Sequence, residues 1–498
     1  MSGKGKYKGE HALVIGGSLG GLCTAQVLSK YFQRVTVVDK DAFPAGADHR
    51  PGVPQSQHPH AMLHGGRLAL EKLFPGFEKN LLDRGGLALE PGRHMAVLQP
   101  WGWVQAAEDT PFNILFSSRI LIESVVRDIA RKTPNLAFLE QTEVLELIGD
   151  SAPATRVLGA RIRGADGVEN DLRADLTIDA SGRMSASDDW LSALGLEVPT
   201  RTVIDAKAGY STRWYQAPPR AERPADWWWY GAWLEPGLEA AQAPEKARMA
   251  VVFPIEGDRW IVSIASWGGD DLPANGEDFE AATKHLRSPL VRDAISVAEP
   301  ISKVYRRRGM QNIWRHYERW PVKLAGFVAT GDAACAFNPI YGQGMTSAAY
   351  CAQVIDKQLK KLDPAGADFP QKAQKALAQH FRVPWLLATS RDMDKSGEQF
   401  VKATEAETGM VATALRKLGQ AYARWAFVAA PRDAVVRNTF LEVMNLVRNP
   451  LSLFLDPRVV VRVVLANIKA RREWKNKPKP SGEITPYPPV PAPIPVKV

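Results

Sequence analysis

The sequence predicts an α/β protein in which a Rossmann-like domain is interleaved with a β-sheet domain and followed by helices. Three observations predict it: a strand–helix–strand unit at the N-terminus, a change to alternating tryptophan-rich strands in the middle, and a late return to a strand ending in Gly331-Asp332. The 498 residues, 45% apolar and 23% charged, suffice for two or more domains.

The first unit covers residues 11–39. Residues 11–16 and 34–39 are predicted strands, and residues 20–32 form the predicted helix between them. The turn before the helix, GGSLGG, matches the dinucleotide pattern GxGxxG with Ser18 at the second glycine. Gly16 permits the tight turn, and Gly21 lets the helix pack closely on the strand.

A helix N-terminus and a carboxylate complete this signature. The first-turn amides of the helix are placed to face a pyrophosphate. Asp39 ends the second strand, 23 residues after Gly16, where its carboxylate can accept hydrogen bonds from both hydroxyls of a ribose. Because strand, turn, helix and acid are in register, we predict a dinucleotide site.

A Gly/Pro-rich loop, RPGVPQSQHPH, follows at residues 50–60. Its hydrogen-bonding side chains indicate either a functional loop or a surface loop with solvated histidines, and we assign no catalytic role to His58 or His60. Residues 141–148, 156–162 and 174–180 are predicted strands. The last ends in Asp179-Ala-Ser-Gly-Arg183, which is typical of a second phosphate-proximal turn.

Alternating strands are predicted at residues 208–216, 249–254 and 260–267, with a hairpin turn at 256–258. Seven of the fifteen tryptophans lie between positions 214 and 267. Strand aromatics usually pack into a core, but three consecutive tryptophans at 227–229 cannot all point to one side of a strand. We therefore predict that Trp228 and Trp229 line an apolar substrate cavity.

The chain then returns to the first domain. The strand LAGFVATGDAA begins at Leu324, and NPIYGQGM opens a helix of small residues that runs to about Leu362. Gly342 follows Asp332 by ten positions and stands at the helix start, where backbone amides can approach a flat or anionic group.

Four segments carry a resemblance to a known family: VIGGSLGGL with Asp39, RPGVPQSQHPH, DASGR and TGDAACAFNPIYGQGM. In this order they resemble FAD-dependent monooxygenases of the para-hydroxybenzoate hydroxylase fold, and within these the polyether-type FAD epoxidases. The resemblance covers residues 13–380 and implies a glutathione-reductase-like FAD-binding domain. It implies that reduced FAD and O₂ form a C4a-hydroperoxide, which transfers one oxygen to a lipophilic substrate by epoxidation or hydroxylation.

The resemblance also implies which residues bind FAD. The cofactor residues are Gly16, Ser18, Gly20 and Gly21 for the pyrophosphate, Asp39 for the adenosine ribose, Arg50 and Arg119 for the phosphate and ribityl side, Val144 for the adenine, Asp332 for the ribityl or phosphate oxygens, and Gly342, Gln343, Gly344 and Met345 for the isoalloxazine. Pro339 and Tyr341 join Trp228 and Trp229 as candidate substrate contacts. No catalytic residue and no metal ligand is assigned.

Two departures from the family patterns keep alternatives open. DASGR stands where single-component hydroxylases carry DGxxSxxR, so the reductant is NADPH or NADH acting directly or through a partner flavin reductase. The halogenase signature WxWxIP is missing, because Trp101-Gly-Trp103 is followed by Val-Gln. The alternatives are an FAD-dependent reductase of prenyl double bonds, a flavin halogenase, and a flavin-fold protein without catalysis.

Composition limits the location and the partners. Three widely spaced cysteines without a CxxC pair argue against disulfides and zinc and favour a reducing, cytoplasmic compartment. Residues 457–480 carry eight basic side chains against one acid, in a pattern without a nucleic-acid motif. This segment either packs onto the domain or contacts an anionic membrane peripherally.

These patterns divide the chain into five parts. Residues 1–195 and 321–380 form the two segments of the FAD-binding domain, and residues 196–320 form the substrate-binding sheet domain. A helical region at 381–475 and a stiff, Pro-rich tail at 476–498 follow.

Overall fold

The computed structural model describes residues 7–100, 102–104, 112–237, 248–269, 271–400, 402–403, 422, 425–426, 428–430, 432–476 and 485–490. Its strands are β1 Gly9–Ile15, β2 Phe32–Val38, β3 Ala61–Met62, β4 Leu87–Leu89, β5 Met95–Gln99, β6 Gly102–Trp103, β7 Ile114–Phe116, β8 Leu136–Leu139, β9 Glu143–Gly149, β10 Val157–Arg163, β11 Glu169–Arg173, β12 Leu176–Asp179, β13 Arg201–Asp205, β14 Gly209–Gln216, β15 Gly231–Leu234, β16 Met249–Ile255, β17 Arg259–Ser266, β18 Glu299–Pro300, β19 Tyr305–Arg307, β20 Asn312–Arg315, β21 Phe327–Ala329, β22 Cys335–Ala336 and β23 Lys402–Ala403. Its α-helices are α1 Leu19–Leu28, α2 His64–Leu73, α3 Phe77–Asp83, α4 Pro91–His94, α5 Arg119–Ala130, α6 Ser187–Ala193, α7 Gly276–Thr283, α8 Leu290–Ser296, α9 Gly344–Lys361, α10 Phe369–Phe400, α11 Ala434–Met444, α12 Ser452–Leu455 and α13 Pro457–Asn476.

A five-stranded parallel sheet in the order β21-β12-β1-β2-β8 forms the centre of the first domain. Its apolar strands are buried, with Leu13 and Val14 at 0% exposure, as expected of a parallel sheet covered on both faces. The predicted strand–helix–strand unit and the predicted Rossmann-like fold class are confirmed. The helix ends at Leu28, earlier than predicted, because Phe32 already pairs with Gly9 in the sheet.

The predicted strands after residue 140 are confirmed as β9, β10 and β12. β9, β10 and β11 form a small antiparallel sheet, while β12 continues into the central sheet beside β1. The carboxyl ends of β1, β12 and β21 therefore meet at one edge, which brings the GGSLGG turn, the DASGR turn and Gly331-Asp332 together.

The second domain is built on an eight-stranded sheet with the main order β18-β14-β17-β16-β15-β5-β6, and β19 also pairs with β14. The predicted strands are confirmed as β14, β16 and β17, and β16 and β17 form the predicted hairpin. β5 and β6 pair into this sheet although they come from the early part of the chain. The predicted division placed residues 1–195 in the FAD-binding domain, so β5 and β6 belong to a sheet to which the sequence did not assign them. The other predicted domain boundaries stay predictions.

The predicted return helix is confirmed as α9, which begins at Gly344 within the NPIYGQGM segment. α9 packs on α1, where the Cβ position of Gly20 lies 3.8 Å from Ala348 Cβ. The long helix α10 then crosses from the central sheet toward the second domain. None of the described helices has the length and apolar character needed to cross a bilayer.

Candidate functional site

The GGSLGG turn adopts a conformation that requires glycine at two positions. Gly16 has φ +101°, and a Cβ there would lie 2.6 Å from the carbonyl oxygen of Ala180. At Gly21 a Cβ would lie 1.7 Å from the carbonyl oxygen of Gly16, so no side chain fits between helix and strand. The turn therefore presents bare backbone amides at the start of α1, as a phosphate-binding turn must.

Asp39 and Arg50 form an ion pair next to this turn. The Asp39 carboxylate accepts a hydrogen bond from the Gly17 amide at 2.6 Å and one from Arg50 Nη1 at 3.0 Å. Arg50 also contacts Asp41 at 2.7 Å and Glu123 at 2.8 Å. Burial raises the pKa of the Asp39 carboxyl, although Arg50 opposes that shift. The structure thus brings together two of the predicted cofactor residues.

Ser18 and Arg119 join the same cluster through Glu123. Ser18 Oγ donates to Glu123 Oε2 at 2.8 Å, and Arg119 Nη2 contacts both Ser18 Oγ at 2.9 Å and the Glu123 carboxylate at 3.0 Å. Burial opposes ionisation of Glu123, but Arg119 and Arg50 hold its pKa below the ordinary value. Sequence reasoning missed Glu123, although its position four residues after Arg119 on α5 was a usable signal.

Two guanidinium nitrogens in this cluster have no partner in the described part of the chain. Arg50 Nη2 and Arg119 Nη1 are buried and make no hydrogen bond among the described residues. An unpaired buried donor is unfavourable, and a pyrophosphate would supply strong, charge-assisted acceptors to both. The residues present therefore fit the phosphate half of FAD.

The NPIYGQGM segment forms a second cradle at the start of α9. Gly342 has φ +67°, and no atom lies within 4 Å of the Cβ positions of Gly342 and Gly344. Between them Gln343 is 1% exposed, yet its Nε2 and Oε1 find no hydrogen-bond partner among the residues that the structure describes. The edge of a flavin ring carries both donors and acceptors, so this bare, polar cradle fits the isoalloxazine. Met345 is buried beside it.

Arg183 follows β12 and Asp332 follows β21, at the edge of the central sheet where the GGSLGG turn also lies. Burial raises the pKa of the Asp332 carboxyl, with Arg183 and Arg119 opposing the shift. Arg183 donates to the carbonyl oxygens of Gln311 and Phe337, both at 2.5 Å, and so ties the DASGR turn to the segment that precedes the flavin cradle. The charges of the DASGR turn and of the phosphate cradle thus both act on Asp332.

A buried carboxylate from α10 holds the flavin cradle in place. Asp392 is 0% exposed and accepts hydrogen bonds from Asn338 Nδ2 at 3.0 Å and Tyr341 Oη at 2.5 Å. It also accepts from Asn312 Nδ2 at 2.6 Å and from Trp267 Nε1 at 3.3 Å. Burial raises the pKa of Asp392 in spite of these donors. No local sequence pattern pointed to Asp392.

Tyr341 and Pro339, predicted as substrate contacts, lie on this loop in different surroundings. The Tyr341 hydroxyl donates a hydrogen bond to Asp392, which fixes the loop that carries Tyr341. Pro339 is exposed at the loop surface. A direct contact of either residue with substrate stays a prediction, as does the contact of half-buried Val144 on β9 with the adenine.

The eight-stranded sheet turns one apolar, aromatic face toward the flavin cradle. Tyr210, Phe253 and Trp267 are buried in this face, and Trp233 packs against them. Ile340 of the cradle loop contacts both this cluster and the core of the first domain. The side chains of one sheet face thus form an apolar wall next to the place that the isoalloxazine fits.

Trp228 and Trp229 do not belong to that wall, so the cavity prediction for them is wrong. Trp229 is 2% exposed and packs with Trp260 and Phe279 on the opposite face, beneath α7 and α8. Trp228 packs against the same core cluster. The prediction assumed a strand, but residues 227–229 precede β15 in an irregular segment, where alternation of side chains does not apply.

The histidine loop packs into the interior. His58 Nδ1 lies 2.8 Å from Thr212 Oγ1, and its ring packs edge-on against Tyr210 with the centroids 4.4 Å apart. His60 Nδ1 lies 2.9 Å from the His58 carbonyl oxygen. Burial lowers the pKa of His58 to about 3 and that of His60 to about 4. Both rings are neutral at pH 7. His58 is buried, so the alternative of a solvated ring is wrong for it, while His60 is half-buried.

The described residues form neither a disulfide nor a metal site. Cys23, Cys335 and Cys351 are buried as free thiols. No three His, Cys, Asp or Glu side chains of the described part of the chain lie together in a way that could hold a metal ion.

Fold and site together define an FAD-binding α/β protein, with one cradle for the phosphates and one for the isoalloxazine. The comparison with known families agrees: residues 10–359 match the FAD binding domain family, and the chain belongs to that family. The predicted FAD-dependent oxidoreductase class and the predicted cofactor FAD are thereby confirmed. The likeness to polyether-type epoxidases within the class stays a prediction.

One relative and two solved structures are similar to this chain. The chain is 25% identical over 402 residues to "Protein Rv3254" of Mycobacterium tuberculosis, which covers 79% of this chain and 82% of that protein. A flavoprotein/dehydrogenase of Cytophaga hutchinsonii has a similar fold, with TM-score 0.62 and 14% identity, over 93% of this chain and 99% of that one. PqsL of Pseudomonas aeruginosa, described as a probable FAD-dependent monooxygenase, gives TM-score 0.53 and 16% identity over 78% and 99%.

Proposed function

We propose that the protein is an FAD-dependent monooxygenase that inserts one oxygen atom from O₂ into a lipophilic substrate. The oxygen enters by epoxidation of an alkene or by hydroxylation. One observation carries the proposal: the cradle that fits the isoalloxazine faces an apolar, aromatic sheet surface through Ile340. The fold shared with PqsL supports it.

When bound, reduced FAD supplies an electrophilic oxygen derived from O₂, and the second oxygen atom leaves as water with two electrons and two protons. The protein has to bind the cofactor, position the substrate and exclude water. The residues that would hold the phosphates are Ser18, Arg50 and Arg119, and those that would hold the isoalloxazine are Gly342–Met345.

Water exclusion follows from the residues around the cradle. Tyr210, Phe253 and Trp267 present carbon-rich surface, which favours an apolar substrate and disfavours bulk water. Neutral His58 adds no charge to this wall, because burial lowers its pKa to about 3. A dry site keeps the reactive oxygen from being lost as hydrogen peroxide.

Oxygen labelling tests the proposal. FAD-loaded protein is reduced and mixed with ¹⁸O₂ and a panel of apolar alkenes and aromatic compounds. A monooxygenase gives a product carrying one ¹⁸O atom, whereas a saturated product without oxygen identifies an FAD-dependent reductase of isoprenoid double bonds. A halide-containing reaction that yields a halogenated product identifies a halogenase. Peroxide as the sole product with every compound contradicts all three activities.

The source of electrons is a separate proposal, NADPH or NADH acting directly or through a partner flavin reductase. Arg183 of the DASGR turn is committed to the carbonyl oxygens of Gln311 and Phe337, which favours the partner reductase. Anaerobic mixing of the holoprotein with NADPH or NADH decides the matter. Rapid bleaching of the flavin would support direct reduction, and bleaching only after addition of a flavin reductase would support the partner.

A further inference from the structure

The C-terminal helix α13 has two apolar faces, and only one of them is covered. Val459, Val463 and Ala466 are buried and pack against α11 and its neighbours. The helix lies on the molecule along this inner face. These contacts lie within the C-terminal helical region, so packing of the segment onto the FAD-binding or substrate-binding domain stays a prediction.

The other half lies on the opposite side of the helix. Each residue advances by about 100° around a helix, so positions 461, 464, 465 and 468 lie roughly opposite positions 459, 463 and 466. Val461 is 55% exposed and Leu465 59%, with Val464 and Ile468 also exposed. We call these four side chains the outer face of α13. Leu451, Phe454 and Leu455, just before the helix, add further exposed apolar surface.

Basic side chains border the outer face. The sequence of α13 contains six basic residues and one acidic residue. Arg458 and Arg462 pair with Asp456 and Asp433. Lys469, Arg471 and Arg472 are exposed and have no carboxylate of the described residues within ion-pair distance.

An aromatic side chain lies at the same border. Trp425 is 41% exposed, and the Arg471 guanidinium carbon lies 5.7 Å from the centroid of its ring. Tryptophan beside cationic side chains is typical of protein surfaces that enter the headgroup region of a membrane.

We propose that the outer face of α13 docks on anionic lipid bilayers, with its apolar side chains among the headgroups and its basic side chains on lipid phosphates. Charge complementarity selects this occupant. In a twofold dimer through the same face, the bordering cations of one copy would face those of the other, which is unfavourable. An anionic bilayer attracts them, by about 1 kcal/mol or about fivefold in binding for each Lys or Arg near the surface.

Vesicle flotation of the full-length, FAD-loaded protein tests this proposal. Vesicles of phosphatidylcholine with an increasing share of phosphatidylglycerol are used at low salt. We expect flotation to rise with the anionic share and to fall as salt is added. The double variant Leu465→Glu/Ile468→Glu should drop to background while the flavin spectrum is kept, because both positions are exposed. Val168→Glu, at an exposed apolar position in the β10–β11 turn, is the matched control and should float like the wild type.

A second pair of variants tests the charges. Arg471→Ala/Arg472→Ala should lower binding to anionic vesicles about 25-fold, since two contributions are lost. Lys284→Ala/Lys323→Ala removes two exposed cations elsewhere and should bind normally. Absence of wild-type flotation at low salt, or equal flotation of the Leu465→Glu/Ile468→Glu variant, overturns the proposal. A wild-type dimer that the same variant converts to a monomer, without vesicle binding, overturns it in favour of self-association.

Discussion

At the scale of single residues, the candidate site contains buried polar atoms that have no hydrogen-bond partner among the described residues. Arg50 Nη2, Arg119 Nη1 and both polar atoms of Gln343 are buried without a described partner. Other buried polar atoms of the described residues also lack a partner, but these four lie together in two places where a ligand can complete the hydrogen bonding. They lie in the two cradles that fit FAD, and the family to which the chain belongs also binds FAD.

The charge of Asp332 should contribute to FAD affinity. Replacing Asp332 by Ala removes a half-buried carboxylate that can accept a charge-assisted hydrogen bond from a ribityl hydroxyl. We expect the dissociation constant of FAD to rise roughly ten- to hundredfold, equivalent to about 1.5–3 kcal/mol. Titration of apoprotein with FAD, followed by fluorescence quenching, measures this. Asp83→Ala, at an exposed acid on α3, is the control, and an equal effect of both variants would remove Asp332 from the cofactor site.

Buried His58 should make the stability of the protein depend on pH. In the unfolded chain its pKa is about 6.5, and burial lowers it to about 3 in the fold. The unfolded state therefore binds a proton first as pH falls below about 6.5, which favours unfolding; at pH 5 this amounts to about 2 kcal/mol. We expect the free energy of unfolding of His58→Asn to fall less between pH 7 and pH 5 than that of the wild type, by about this amount. Urea unfolding at both pH values measures the difference, and parallel losses would contradict the buried, neutral state.

At the scale of secondary-structure elements, the N-termini of α1 and α9 carry the two candidate binding sites. α1 begins after a turn in which Gly16 and Gly21 touch through backbone atoms alone. α9 begins at Gly344, beside open space. Both helix starts thus expose amides, and in each case a glycine is what keeps the approach free.

Two neighbouring glycines of α1 should respond oppositely to alanine. Gly21→Ala places a Cβ 1.7 Å from the Gly16 carbonyl oxygen, so helix and strand must separate. We expect loss of FAD binding and a large drop in melting temperature. Gly20→Ala meets only Ala348 Cβ at 3.8 Å and should leave the apoprotein folded, with a melting temperature unchanged or raised. Circular-dichroism melting of both apoproteins tests this, and a folded Gly21→Ala variant would contradict the observed packing.

The hydrogen bonds of Asp392 should control the flavin end of the site only. Asp392→Asn keeps the shape but leaves at least one buried donor of Asn312, Asn338 or Tyr341 unpaired, at about 1–3 kcal/mol. We expect weaker binding of FAD and unchanged binding of ADP, because the phosphate cradle is made by other elements. Calorimetric titration with both ligands measures the two affinities. Asp368→Asn, an exposed acid just before α10, is the control; an equal loss of ADP affinity would mean that Asp392 supports the whole domain.

Sequence reasoning succeeded for these elements where the information is local. The GGSLGG turn and Asp39 are specified within one strand–helix–strand unit, and the cradle around Gly342 within one loop and helix start. It failed for Trp228 and Trp229 because it assumed a strand. It could not find Asp392, whose partners lie between 51 and 125 positions away in the chain.

At the scale of the whole molecule, the two domains are linked by segments that cross between them. β5 and β6 leave the first domain and pair into the eight-stranded sheet. α10 carries Asp392 from the helical region to the flavin cradle. The described part of the Pro-rich tail, residues 485–490, returns to the second domain. The eight-stranded sheet is therefore held by early, middle and late parts of the chain.

The tail should stabilise the second domain as a strap. Trp103 Nε1 donates to the Thr485 carbonyl oxygen at 2.8 Å, and Ser288 Oγ donates to the Pro486 carbonyl oxygen at 2.5 Å. The Tyr487 hydroxyl donates to Asp293 on α8. A proline-rich segment is already extended before it docks, so little conformational entropy is lost when these bonds form.

Removing the tail should therefore destabilise the protein without removing its cofactor. Truncation after residue 484 deletes three hydrogen bonds of about 1 kcal/mol each, and we expect the free energy of unfolding to fall by about 1–3 kcal/mol. Trp103→Phe keeps the ring but removes one donor, so it should give about a third of that loss and faster proteolysis of the tail. Urea midpoints and limited proteolysis of the full chain and both variants provide the measurement, with the flavin spectrum as the check on the first domain. Identical midpoints in all three proteins would mean that the tail rests on the second domain without stabilising it.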